Sequence, residues 1–174
     1  MDRADFSAHR ILIVGAKTHT LSVLRSILGV LGVSNVVQID DSARALDLLA
    51  TEGFSTVFCT PDAQPIDGMS FPVAARRKDG MLNPMVPIFM IQERARRRDV
   101  EQARDVGVTD MLTTPVSPKT IMTKLKAAEV APRPFIVSNE FFGPDRRARN
   151  RAPWSGEDRR KRQAKKAKVD FTQI

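Results

Sequence analysis

A chain of 174 residues, 42% of them hydrophobic, suffices for one globular domain of ordinary size with an appendage. Its single cysteine, Cys59, excludes an intramolecular disulfide framework and a Cys-rich metal site, and no apolar run is long enough to cross a bilayer. The net charge of +8 is unevenly spread: residues 1–130 hold 16 Lys+Arg against 15 Asp+Glu, whereas residues 131–174 hold 12 against 5.

The opening "MDRADFSAHR" has no signal-peptide pattern, so the expected setting is reducing and cytoplasmic. "ILIV" (Ile11–Val14) reads as a buried strand. A helix follows in "HTLSVLRSILGVLG", with Leu21, Leu24, Ile27, Leu28 and Leu31 at helical spacing and Gly32 as its C-terminal stop. "VVQI" (Val36–Ile39) is a second strand. Asp41 or Ser42 then caps a helix carrying Ala45, Leu46, Leu48 and Leu49. "TVFC" (Thr56–Cys59) is a third strand, followed by the loop "TPDAQPIDG" and a short helix around Phe71–Lys78. "PIFMI" (Pro87–Ile91) is a fourth strand, and "RARRRDVEQARDVG" predicts a helix ending at Gly107. "DML" (Asp110–Leu112) is a short fifth strand. Ser117 caps a last helix with Pro118 in its first turn and Ile121, Met122 and Leu125 facing inward.

Five strand–helix units with non-alternating apolar strands predict an α/β fold: a five-stranded doubly wound parallel sheet with helices on both faces. Ligand chemistry in such a fold belongs at the carboxyl ends of the strands. After Val130 the texture changes. The prolines of "APRPF" stop the helix. The rest is rich in arginine and poor in core formers, which predicts a largely disordered tail. Ser155 and Asp158 form a capping-box pattern that opens one short helix within it. The division is therefore a domain over 8–130 and an arginine-rich tail over 131–174.

The order and spacing of "ILIVGAKTH", "STVFCTPDAQPIDG", "VPIFMIQ" and "GVTDMLTTPVSP" resemble the receiver domains of two-component response regulators, with the receiver (flavodoxin-like) fold. The resemblance implies a cis-proline at Pro115. It also implies an acidic pair after the first strand, an aspartate phosphoacceptor ending the third, a Ser/Thr ending the fourth and a lysine before the proline. The carboxylates would hold Mg²⁺ and the lysine would neutralise developing charge. In this sequence those positions fall on Gly15 and Ala16, Thr60, Gln92 and Thr114. Thr60 thus stands where the phosphoacceptor should be, no magnesium is expected, and the chain is expected not to be an enzyme. Asp62 and Asp67 read as turn formers, and His9 and His19 as surface or capping residues without a third ligand. Cys59 reads as a small apolar core residue. Arg94–Arg98 reads as a solvated face within reach of Asp99, Glu101 and Asp105. By the same resemblance, the fourth helix, fifth strand and fifth helix form a face for docking a protein partner.

The tail contains an internal repeat. Phe141-Phe142-Gly143-Pro144-Asp145-Arg146-Arg147 is followed thirteen residues later by Trp154-Ser155-Gly156-Glu157-Asp158-Arg159-Arg160. Arginine offers a planar fork for a guanine edge or a phosphate. Phe and Trp offer stacking platforms. Aspartate accepts from the N1–H and N2–H of guanine, which a plain phosphate patch would not require. Two copies describe two guanine-and-phosphate pockets. Cyclic di-GMP fits that count: it is two-fold symmetric, and its self-intercalated dimer, the expected ligand, presents stacked guanines with phosphates at the rim. A non-specific RNA- or DNA-binding basic tail is the alternative reading, supported by the charge and the aromatics.

Domain and tail together resemble the CheY-like cyclic di-GMP effectors of the Cle group. That resemblance implies cyclic di-GMP binding by Asp145, Arg146, Arg147, Trp154, Asp158, Arg159 and Arg160. Phe141 joins them as the repeat equivalent of Trp154, and Arg151 through the Arg147-x-x-x-Arg151 spacing, which is similar to that of PilZ-type cyclic di-GMP binders. It also implies control of docking on a protein partner at the flagellar motor or the attachment machinery, with recruitment to the flagellated pole.

Overall fold

The computed structural model describes residues 6–16 and 18–145. Strands β1 (Arg10–Val14), β2 (Asn35–Ile39), β3 (Thr56–Cys59), β4 (Ile88–Gln92) and β5 (Asp110–Thr113) form one sheet in the order β2-β1-β3-β4-β5. Every pairing is parallel. Between the strands run α1 (His19–Val30), α2 (Ser42–Thr51), α3 (Ser70–Arg77) and α4 (Arg97–Asp105), and α5 (Pro118–Val130) closes the series. The expected α/β architecture is the one observed.

The reason lies in the strands, which are apolar on both faces. Ile11, Ile13, Phe58, Phe89 and Ile91 point to the side covered by α1 and α5, where Leu21, Leu24, Leu28, Ile121 and Leu125 complete a buried cluster. Leu12, Val14, Val57, Cys59, Ile88 and Met90 point to the other side, against Ala45, Leu46 and Leu49 of α2, Phe71 and Ala75 of α3, and Ala103 of α4. Alternate side chains therefore feed two cores, as a sheet sandwiched between helix layers requires. Polar caps set the helix starts. Thr18, Asp41 and Ser117 accept from backbone N–H groups at the heads of α1, α2 and α5. Asp41, not Ser42, caps α2; the Ser42 hydroxyl is turned inward and accepts from the Ile66 amide at 2.8 Å. The helix expected from Arg94 begins only at Arg97.

One element has no counterpart in the sequence reading. Strands β6 (Phe135–Val137) and β7 (Phe142–Pro144) form an antiparallel hairpin pairing Phe135 with Pro144 and Val137 with Phe142. A two-stranded hairpin is marginal in isolation, and this one is held by the domain. The Phe135 and Phe142 rings meet edge to face at 6.2 Å. Arg77 donates to the carbonyls of Ser138 and Asn139. The Arg76 guanidinium lies 4.9 Å from the centre of the Phe135 ring. Backbone meets backbone at Gly107 and Gly143. A Cβ on Gly107 would fall 2.6 Å from the Phe142 carbonyl oxygen, and one on Gly143 would fall 2.7 Å from the Gly107 Cα.

Arg76 itself is 2% exposed. Its guanidinium donates to the carbonyls of Pro84, Val86 and Gly107, tying α3 to the segment before β4 and to the α4–β5 turn. Burial lowers its pKa to about 9, the nearby Cys59 opposing that shift.

Candidate functional site

At the carboxyl ends of β1, β3 and β5, where the receiver pattern calls for charged groups, the chain has Gly15 and Ala16, Thr60 and Thr114. β1 runs out into Gly15, whose φ of +144° lies outside the range favoured by side-chain-bearing residues. Its amide donates to the Ile39 carbonyl at 2.9 Å. A Cβ at Gly15 would fall 2.3 Å from Thr60 Oγ1, so glycine here lets the first loop lie directly on the end of β3. Gly68 approaches from the other side, where a Cβ would meet the Thr60 carbonyl oxygen at 2.1 Å. Thr60 is thereby enclosed at 6% exposure, and its Oγ1 has no hydrogen-bond partner among the described residues.

The remaining positions serve local structure. Gln92 donates its side-chain amide to the Arg94 carbonyl at 2.6 Å and accepts from the Thr114 amide through its own carbonyl at 3.1 Å. The Thr114–Pro115 bond is cis, as the motif implies. Asp67 accepts from the Ser70 hydroxyl and from the Ser70 and Met69 amides, which orders the entry to α3. These bonds, that from the Ser70 hydroxyl first, hold its carboxyl below the usual carboxylate range. Asp62 is exposed in the preceding turn. Both aspartates therefore behave as the turn formers expected.

Magnesium prefers several carboxylate or water oxygens in octahedral array. Gly15, Ala16 and Thr60 supply no carboxylate to such a set. Among the described residues, no group of three His, Cys, Asp or Glu side chains is placed to hold a metal ion. The donor set does not fit Mg²⁺. Thr60→Val is expected to raise stability by about 1 kcal/mol, because it removes a buried hydroxyl that has no partner. Thermal denaturation reads this directly, and a loss of similar size would mean that the hydroxyl is satisfied.

The other candidates fall into structural roles. Burial pushes the Cys59 thiol up to about 12, consistent with an inert core position. His9 packs edge to face on Phe6 at 5.1 Å and reaches Ser55 and Glu129. His19 opens α1 at the surface. Arg97 pairs with Glu101 at 2.8 Å and Arg98 with Asp99 at 3.6 Å, on the solvated face expected of them.

Of the residues expected to bind cyclic di-GMP, Phe141 and Asp145 are described. Phe141 sits in the hairpin loop, its amide accepted by the Ser138 hydroxyl and its ring over Gly143. Asp145 follows β7, its amide donating to the Pro134 carbonyl at 2.7 Å. The first repeat thus starts within a folded element, and Gly143 serves contact with Gly107. Arg146, Arg147, Arg151, Trp154, Asp158, Arg159 and Arg160 lie outside the described residues, as does the capping box at Ser155.

A family model for the response regulator receiver domain matches residues 11–126. Among solved structures, the receiver domain of a sensor histidine kinase from Pseudomonas aeruginosa is 22% identical at a TM-score of 0.60. The match covers 68% of this chain and 94% of that one, whose active-site cleft coordinates a magnesium ion. The chemotaxis response regulator CheY4 of Vibrio cholerae is 20% identical at a TM-score of 0.59, covering 68% of this chain and 96% of its own. A two-component response regulator from Clostridium difficile is 18% identical at 0.61, covering 71% and 97%. At these identities the likeness establishes the fold. No helix among the described residues is long and apolar enough to cross a membrane.

Proposed function

The chain belongs to the response regulator receiver family, and from the residues in its crevice we infer a receiver that takes its signal from cyclic di-GMP and not from phosphorylation. The observation that carries this reading is the enclosure of Thr60 by Gly15 and Gly68 at the phosphoacceptor position. Phosphoryl transfer to a receiver needs a carboxylate nucleophile, a metal held by neighbouring carboxylates and a cation for the developing charge. Thr60, Gly15 and Ala16, and Thr114 occupy those places. A receiver without these groups needs another input.

The tail supplies it. Two aromatic-x-Gly-x-Asp-Arg-Arg segments stand where the positive charge of the chain is concentrated. Arg146, Arg147, Arg151, Arg159 and Arg160 pair with phosphates and guanine edges, and Trp154 and Phe141 stack on bases. Asp145 and Asp158 accept from guanine. Two motifs match a dimer of the dinucleotide. Ligand binding then controls docking of the receiver on a protein partner, for which the flagellar motor or the attachment machinery is the reading. The protein is a signal-binding module and not an enzyme.

The alternative, a non-specific RNA- or DNA-binding tail, draws on the same charge but gives no role to Asp145 and Asp158. Reordering residues 146–174 at constant composition separates the two. The native chain is expected to bind cyclic di-GMP and the reordered chain to lose it. Equal, steeply salt-dependent RNA affinity in both chains, with no dinucleotide binding in either, would establish the alternative.

A further inference from the structure

The opposite end of the sheet holds a cleft of about 590 Å³, within the range of small-ligand sites. It opens between the amino-terminal ends of β4 and β5, the last turns of α4 and α5, and the hairpin. We propose that this cleft is the receiver's own part of the nucleotide site: it holds one guanylate half of the dinucleotide, base against the apolar lining and phosphate on Arg104 and Arg133. This rests on the reading of the tail as a cyclic di-GMP binder and extends that site into the folded domain.

Three observations carry the assignment. The lining is chemically mixed: Ala127, Ala128, Pro134 and Phe135 supply accessible apolar surface over the buried Phe89 and Val108, and the two guanidiniums stand among them. Arg104 and Arg133 make no ion pair or side-chain hydrogen bond among the described residues. Lys124, which also lines the cleft, is by contrast committed to Asp110. Finally, Pro144 and Asp145, which belong to the first tail repeat, form part of the wall. In sequence, Arg146 and Arg147 follow Asp145 directly.

The chemistry favours a nucleotide over a simple anion. The carboxyl ends of α4 and α5 lie here, and their partial negative charge opposes a bare phosphate. Two guanidiniums offset that field, and a flat base gains from the apolar lining what an inorganic anion cannot. The hairpin wall is preformed by the Gly107–Gly143 contact and the Arg76–Phe135 stack, so little ordering is required of this half of the site.

The test is calorimetric titration of the full chain with cyclic di-GMP. Arg104→Ala combined with Arg133→Ala is expected to weaken binding roughly tenfold. Ala128→Trp, which fills the lining and keeps both guanidiniums, should weaken it to a similar degree. Arg97→Ala combined with Arg98→Ala removes the same charge from a solvated face and should change affinity by less than about twofold. All four arginines are exposed, so unfolding transitions should match that of the unsubstituted chain. Unchanged binding in either cleft variant, or an equal loss in the Arg97/Arg98 control, overturns this inference and leaves the tail reading intact. No binding by the unsubstituted chain overturns both.

Discussion

Replacing Arg147 and Arg159 together with alanine is expected to weaken cyclic di-GMP binding by roughly a hundredfold or more, with no change in the thermal stability of the domain. Each residue belongs to one copy of the tail motif, so the pair removes one guanidinium from each proposed pocket. A hydrogen bond to a charged partner contributes about 1.5–3 kcal/mol, more than a neutral one, and a bidentate fork adds geometric selectivity. Lysine at the same positions keeps the charge but loses the fork and should restore only part of the affinity. Full rescue by lysine would mean that the tail senses charge alone. Unchanged affinity in the alanine pair, measured by calorimetry, would remove these arginines from the site.

The second large effect concerns Arg76. Arg76→Ala is expected to cost about 3 kcal/mol of unfolding free energy, and to release the hairpin before the domain melts. Two effects oppose each other here. Burying a guanidinium without a carboxylate is unfavourable, as its lowered pKa records. Three carbonyls nevertheless depend on it, and truncation leaves them dry beside a cavity with Phe135 unsupported. The second effect prevails, because an unsatisfied buried acceptor costs about 1–3 kcal/mol. Arg76→Met keeps most of the volume and removes the buried charge, so its loss should be roughly half as large. Denaturant titration gives the stability, and amide exchange across 135–144 gives the hairpin. A neutral Arg76→Ala would show that the clamp has no net effect.

The sheet was legible because its strands are short, apolar throughout and regularly interrupted by capped helices. "ILIV", "TVFC" and "PIFMI" cannot be read as one-faced strands, which forces helices onto both sides. Ser117 followed by Pro118 marked the start of α5 correctly for the same local reason.

The hairpin and Arg76 were not legible, and the cause is common to both. Each depends on partners distant in sequence. The strands of the hairpin are three residues long, below any periodic signal, and they persist because Gly143 meets Gly107. An arginine near the end of a helix reads as solvated. Only the fold brings the Pro84, Val86 and Gly107 carbonyls around it. The crevice lay between these extremes. The residue types at Gly15, Thr60 and Thr114 were plain from the motif register, but the tight contact that encloses Thr60 required the two loops to be placed.

This contact also bears on any attempt to rebuild the switch. Thr60→Asp alone would set a carboxylate against Gly15, while the positions of the acidic pair and of the lysine would still hold Gly15, Ala16 and Thr114. The five positions, Gly15, Ala16, Thr60, Gln92 and Thr114, act as one unit and would have to change together.

Calorimetric titration of the full chain with cyclic di-GMP in magnesium-free buffer tests the central claim most directly. Saturable binding with a stoichiometry of one dinucleotide dimer per chain, and no comparable heat from GTP, is the result predicted. Absence of binding, or an isotherm that GTP reproduces, would contradict it.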